Sequence, residues 1–97
     1  MNITSQKDGN KLYMTLSGRF DTVAAMSFDK DTQSDMEGVA ELELDLAKLT
    51  YVSSSGLRVL LGLSKKFGDA LTVKNVQPAV MDVFDMTGLS SALGLDD

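Results

Sequence analysis

The chain has 97 residues, room for one small domain, and carries nine Lys and Arg against fourteen Asp and Glu for a net charge of −5, with no His, Cys or Trp. Without Cys there is no disulfide, thiol nucleophile or thiolate metal site, and without His no imidazole base, so Ser-His-Asp and Cys-His catalysis are excluded within this chain. The scattered cations and acidic balance disfavour nucleic acid and anionic membrane surfaces, and the best apolar run, Val59–Leu63, falls far short of the roughly 20 residues of a membrane span.

In chain order, Asn2–Gln6 reads as a first strand, followed by the turn chemistry of Asp8-Gly9-Asn10, where Gly and Asn tolerate positive φ. The Met-Asn-Ile-Thr-Ser-Gln-Lys start lacks the apolar centre of a signal peptide, which points to a cytoplasmic protein. Leu12, Met14 and Leu16 alternate with Tyr13 and Thr15, a period-two strand that Gly18 is expected to end. Asp21-Thr22 offers a helix N-cap, and Val23 to about Met36 a first helix with Ala25 and Phe28 on its inner face. Its second half, Asp29–Asp35, is nearly all polar, as in a solvated helix end or a loop.

Glu41-Leu42-Glu43-Leu44-Asp45-Leu46 is the clearest strand, with three leucines facing one way and three carboxylates the other. A parallel strand covered on both faces reads as continuously apolar, so this alternation predicts a sheet with helices mainly on one side. The acidic row is then a solvated face, and alternating carboxylates pointing into open water are a poor metal site. Ser55–Phe67 turns helical, with Leu57, Leu60, Leu61 and Phe67 along one side, widened by Val59 and Leu63. Lys65-Lys66 sits in its last turn and Gly68 is suited to its C-cap. Leu71, Val73 and Lys74 repeat the strand pattern, with Lys74 able to offset the acidic face. Pro78 and Gly88 bracket a last helix whose inner face is Val80, Val83, Phe84 and Thr87, and Ser90–Leu95 adds a short final turn. Of the six methionines, Met14, Met81 and Met86 read as core filler.

The segment that bears chemistry is Tyr51-Val52-Ser53-Ser54-Ser55-Gly56-Leu57, where the acidic-faced strand gives way to the long helix. Three hydroxyls ahead of an apolar periodic run are suited to capping the free amides of the first turn, a good cap contributing about 1 kcal/mol. They also present a serine at the tip of a βα connection, beside a helix N-terminus able to accept a phosphate or carry one. Both readings are open. Arg58 stands in the first turn, where cations oppose the helix dipole, and reads either as a partner or phosphate contact or as a solvated surface arginine.

The run Leu44-Asp45-Leu46, then Leu49-Thr50-Tyr51-Val52-Ser53-Ser54-Ser55-Gly56-Leu57-Arg58-Val59-Leu60-Leu61, closely resembles the STAS domain of bacterial anti-sigma factor antagonists. The resemblance extends to Gly18-Arg19-Phe20-Asp21, Val73-Lys74-Asn75-Val76, Pro78-Ala79-Val80 and Val83-Phe84-Asp85-Met86-Thr87-Gly88-Leu89, with 29–40 the least typical stretch. It implies a single STAS domain over residues 1–97, an α/β fold (α+β in some schemes) with a mixed four- to five-stranded sheet in the order β-β-α-β-α-β-α. It implies a switch protein, not an enzyme, that binds an anti-sigma factor serine kinase, is phosphorylated by it on one serine and is restored by a serine phosphatase. By motif position that serine is Ser54, with Ser53 and Ser55 as alternatives, since Ser53 stands where many members carry aspartate. Asp21, Thr22, Ser53, Ser55, Gly56 and Arg58 would form the partner surface. No cofactor, metal, nucleic acid or membrane is implied, and the chain would be a monomer or weak dimer. Two further readings share the motif: a STAS accessory subunit of a transporter, and a nucleotide-responsive module binding phosphate at the Ser53–Gly56 amides.

Overall fold

The computed structural model describes Met1–Leu95. A hairpin of β1 (Asn2–Asp8) and β2 (Lys11–Phe20) turns at Gly9 and leads into α1 (Thr22–Thr32). β3 (Glu41–Val52), α2 (Ser54–Phe67), a 3-10 turn at Gly68–Ala70, β4 (Leu71–Lys74), α3 (Pro78–Thr87) and α4 (Leu89–Ala92) complete the described chain. The sheet has four strands in the order β1-β2-β3-β4, with β1 antiparallel to β2 and the other two pairings parallel.

Alternation in the strands sets the layers. Leu12, Met14 and Leu16 of β2 and Leu42, Leu44 and Leu46 of β3 are all buried, and with Phe20, Phe28, Leu60, Leu63, Val80 and Phe84 they form one core beneath the helices. At about 25 cal/mol per Å² of apolar surface removed from water, this single layer is the main stabilising term. The opposite face carries Glu43 between Lys11 at 3.7 Å and Lys74 at 3.3 Å. Glu43, the centre of the acidic row, is therefore offset by its neighbours, Lys74 among them as expected. No helix among the described residues is long and apolar enough to cross a membrane.

Several boundaries depart from expectation. β2 does not end at Gly18 but runs on to Phe20; Gly18 takes φ +97° and marks a shift of register against β3, so it bends the strand instead of stopping it. β3 continues past Leu46 to Val52, carried through Ala47 and Lys48 by a second register shift and by its pairing with β2. α1 stops at Thr32, whose hydroxyl turns back to the Phe28 carbonyl at 2.8 Å, and residues 33–38 are turns. Met86 is not core filler: it is 86% exposed, and Thr87 is exposed as well, its hydroxyl donating to the Val83 carbonyl. The inner face of α3 is Val80 and Phe84, with Val83 and Met81 partly buried against the core as expected. In α2 the buried line is Gly56, Leu60 and Leu63, with Leu61 turned outward. Gly68 and Gly88 close their helices with positive φ, as expected.

Candidate functional site

The parallel pairing of β2 with β3 brings their C-terminal ends side by side, so α1 and α2 begin at the same edge of the sheet. Both starts are capped by side chains. Asp21, in extended conformation, accepts at Oδ1 from the Ala24 amide at 2.9 Å; Ser53, also extended, accepts at Oγ from the Gly56 amide at 3.1 Å. The Ser53 amide donates to the Phe20 carbonyl at 2.8 Å, which ties one helix head to the strand end that leads into the other.

Gly56 is buried, and this close approach depends on it. A Cβ there would stand 2.8 Å from the Phe20 carbonyl oxygen and 2.9 Å from Cγ2 of Val52. Its place is against the core, so it positions the helix head and presents no side chain to a partner.

The three serines are thereby given different environments. The Ser53 hydroxyl is engaged as the cap. Ser54, the first residue of α2, is exposed, and Ser55 is half-buried. Thr22 and Arg58 are exposed and Asp21 is half-buried. Among the described residues no carboxylate lies within ion-pairing distance of Arg58. The sheet edge therefore gathers Asp21, Thr22, Ser53, Ser54 and Ser55, while Gly56 lies beneath and Arg58 stands one turn further along α2.

Three neighbours were not singled out from sequence. Val23 and Met26 on the outer side of α1 are 75% and 80% exposed. Arg19 places its guanidinium 4.1 Å from the centre of the Tyr51 ring on the neighbouring strand. Such a stack contributes about 0.5–1 kcal/mol at an exposed site. The signal for it is the register: once β2 and β3 are paired in parallel, Arg19 falls opposite Tyr51.

Comparison with known proteins agrees with this arrangement. The family model described as Mlab, STAS domain matches residues 3–95. The anti-sigma-B factor antagonist of Bacillus subtilis (strain 168) is 26% identical over 98 residues, covering 98% of this chain and 90% of that protein. The putative anti-sigma factor antagonist BtrV of Bordetella bronchiseptica is 30% identical over 95 residues, covering 94% and 82%. Among solved structures, the anti-sigma factor antagonist SpoIIAA in its unphosphorylated form has a TM-score of 0.77 at 19% identity, covering 93% of this chain and 84% of that one. The phosphorylated form of SpoIIAA, a Bacillus cell fate determinant, has a TM-score of 0.71 at 18% identity, covering 93% and 86%. The sheet order, the paired helix heads and these matches together place the chain in the STAS domain family of anti-sigma factor antagonists.

Proposed function

We propose that this protein binds an anti-sigma factor that is also a serine kinase, through the sheet edge where α1 and α2 begin, and that phosphorylation of Ser54 breaks the complex. Asp21, Thr22, Ser54, Ser55 and Arg58 form the contact surface, with Ser53 and Gly56 holding the helix head. A serine phosphatase restores the binding form, and transcription is affected indirectly, through the released sigma factor. The observation that carries the reading is the division of labour among the serines: Ser53 spends its hydroxyl on the cap, whereas Ser54 stands exposed at the first position of α2.

Phosphate adds about −1.5 to −2 charge at neutral pH. At the head of α2 the helix dipole favours it by about 0.3–1 kcal/mol, so the fold tolerates the modification. The cost falls on the interface, where a dianion must be desolvated against groups packed to meet a hydroxyl, with Asp21 on the neighbouring helix head adding repulsion.

The test is incubation with ATP and the cognate kinase, followed by intact mass and site mapping. One phosphate on Ser54 is expected, with none on Ser54→Ala, which keeps partner binding, and weakened binding by Ser54→Asp. Equal affinities of wild type and Ser54→Asp in a titration would overturn the switch. Binding to a transporter ATPase with no phosphate transferred would favour the accessory-subunit reading.

A further inference from the structure

The face of α2 that begins at Ser54 continues as a ridge of residues spaced by four: Arg58, Gly62 and Lys66. All three line a solvent-open groove of about 990 Å³ between α1 and α2. Phe28, Thr32, Val59, Leu63 and Met36 make its largely apolar floor, and Asp29, Lys30, Gln33 and Glu37 its far wall.

Two features of this groove are unexplained by the fold. The first is Gly62, which sits in the middle of a 14-residue helix with helical φ and open space where its Cβ would be. A glycine there costs about 0.5–1 kcal/mol relative to alanine, and neither a turn nor a close neighbour within the chain calls for it. The second is charge. α2 carries Arg58, Lys65 and Lys66 and no carboxylate, in a chain of net charge −5. Although Asp29 and Glu37 stand on the far wall, no ion pair within 4.0 Å joins them to Arg58 or Lys66 among the described residues. The fold thus leaves two cations flanking a notch in the helix surface, above an apolar floor.

We infer that the α1–α2 groove is a docking site for an acidic amphipathic helix of a partner protein. Gly62 admits the close approach of its backbone, its apolar stripe covers Val59 and Leu63, and carboxylates on one flank meet Arg58 and Lys66. Helices recognised in grooves use this combination of an apolar stripe for affinity and flanking charge for direction. The opposite wall carries two carboxylates, Asp29 and Glu37, against the single cation Lys30, so the acidic flank is favoured on the α2 side. The inference does not rest on phosphorylation of Ser54; Arg58 alone is common to both surfaces.

The probe is a synthetic amphipathic peptide of about four helical turns with a Leu/Ala stripe and a Glu flank, titrated into the isotope-labelled full chain and followed by amide chemical shifts. Saturable shifts centred on Val59, Gly62, Leu63 and Met36 are expected. Reversal of both cations, Arg58→Glu with Lys66→Glu, should weaken binding about tenfold as two exposed ion pairs become repulsions. A peptide with Lys in place of Glu should then prefer the reversed protein by a similar factor. Gly62→Leu, exposed and compatible with the helix, should abolish binding of both peptides while leaving the fold unchanged by circular dichroism. The inference is overturned by no saturable shift at millimolar peptide, by shifts centred elsewhere, by charge exchange that fails to rescue, or by an effect of Arg58→Glu with none from Lys66→Glu or Gly62→Leu. Concentration-dependent dimerisation abolished by Gly62→Leu would overturn it too, assigning the groove to a second copy.

Discussion

Gly56 and Ser53 illustrate how single residues set the geometry of the helix head. A methyl group at Gly56 would press on the Phe20 carbonyl oxygen at 2.8 Å, and that oxygen is held by the Ser53 amide, so it cannot simply swing aside. Val52 Cγ2 at 2.9 Å adds a second clash with a buried side chain. Gly56→Ala is therefore expected to destabilise the domain by about 1–3 kcal/mol, as overpacking does. Its helix head would also shift away from β2. Urea unfolding measures the first effect; an unchanged midpoint would show that the head relaxes freely. Ser53 answers to a different energy. Its hydroxyl caps one amide, and loss of such a cap costs about 0.5–2 kcal/mol, so Ser53→Ala should be destabilised while Ser53→Asp, still able to cap, is not.

At the scale of elements, α2 combines an inner line of Gly56, Leu60 and Leu63 with an outer ridge that includes Gly62. The two glycines make opposite predictions. Gly62→Ala meets open space, so it should raise stability by about 0.5–1 kcal/mol, the mirror image of Gly56→Ala in the same unfolding assay. Nothing in the residue pattern separates these glycines, because what crowds Gly56 is packing with Val52 and with a strand end that lies 36 positions earlier in the chain. The same limit explains what could be read directly and what could not. The Leu/Glu alternation of Glu41–Leu46 shows which face is buried, and the Ser53 cap and Gly88 terminus follow from local chemistry. The extension of β3 to Val52 interrupts its own alternation at Ala47 and Lys48 and is held by pairing with β2, which local pattern does not contain. Thr87 follows Val83 and Phe84 by one turn yet is exposed at the end of α3, whereas Met86, two positions after buried Phe84, lies about 200° round the helix from it and so faces solvent.

Across the molecule, a polar clasp joins β3 to the segment that leads from β4 into α3. Asp45 accepts at Oδ1 from the Ala47 amide at 3.0 Å and from Nδ2 of Asn75 at 3.2 Å, and Gln77 donates to the Ala47 carbonyl at 2.7 Å. Asn75 takes φ +61° to make its contact, a left-handed conformation that asparagine tolerates better than most residues. The clasp thus fixes the link between β4 and α3 to the point where β3 shifts register. The Ala47 amide, then Asn75, hold the Asp45 carboxyl below its ordinary value of 3.8 against the opposing effect of burial, with Lys74 and Lys48 contributing less than either. A depressed folded-state value means that this contribution is fully present above the unfolded value and is lost as pH falls through the folded one. Asp45→Ala should accordingly lower the thermal midpoint by a constant amount at neutral pH, and the gap from wild type should narrow only below about pH 4. General acid destabilisation, which comes as the thirteen other Asp and Glu carboxylates lose charge beside nine fixed cations, acts on both proteins and cancels in that difference. A gap that stayed constant down to pH 2 would show that Asp45 acts by packing alone, and one that widened on acidification would mean that the pKa of the carboxyl is raised, not lowered, by folding.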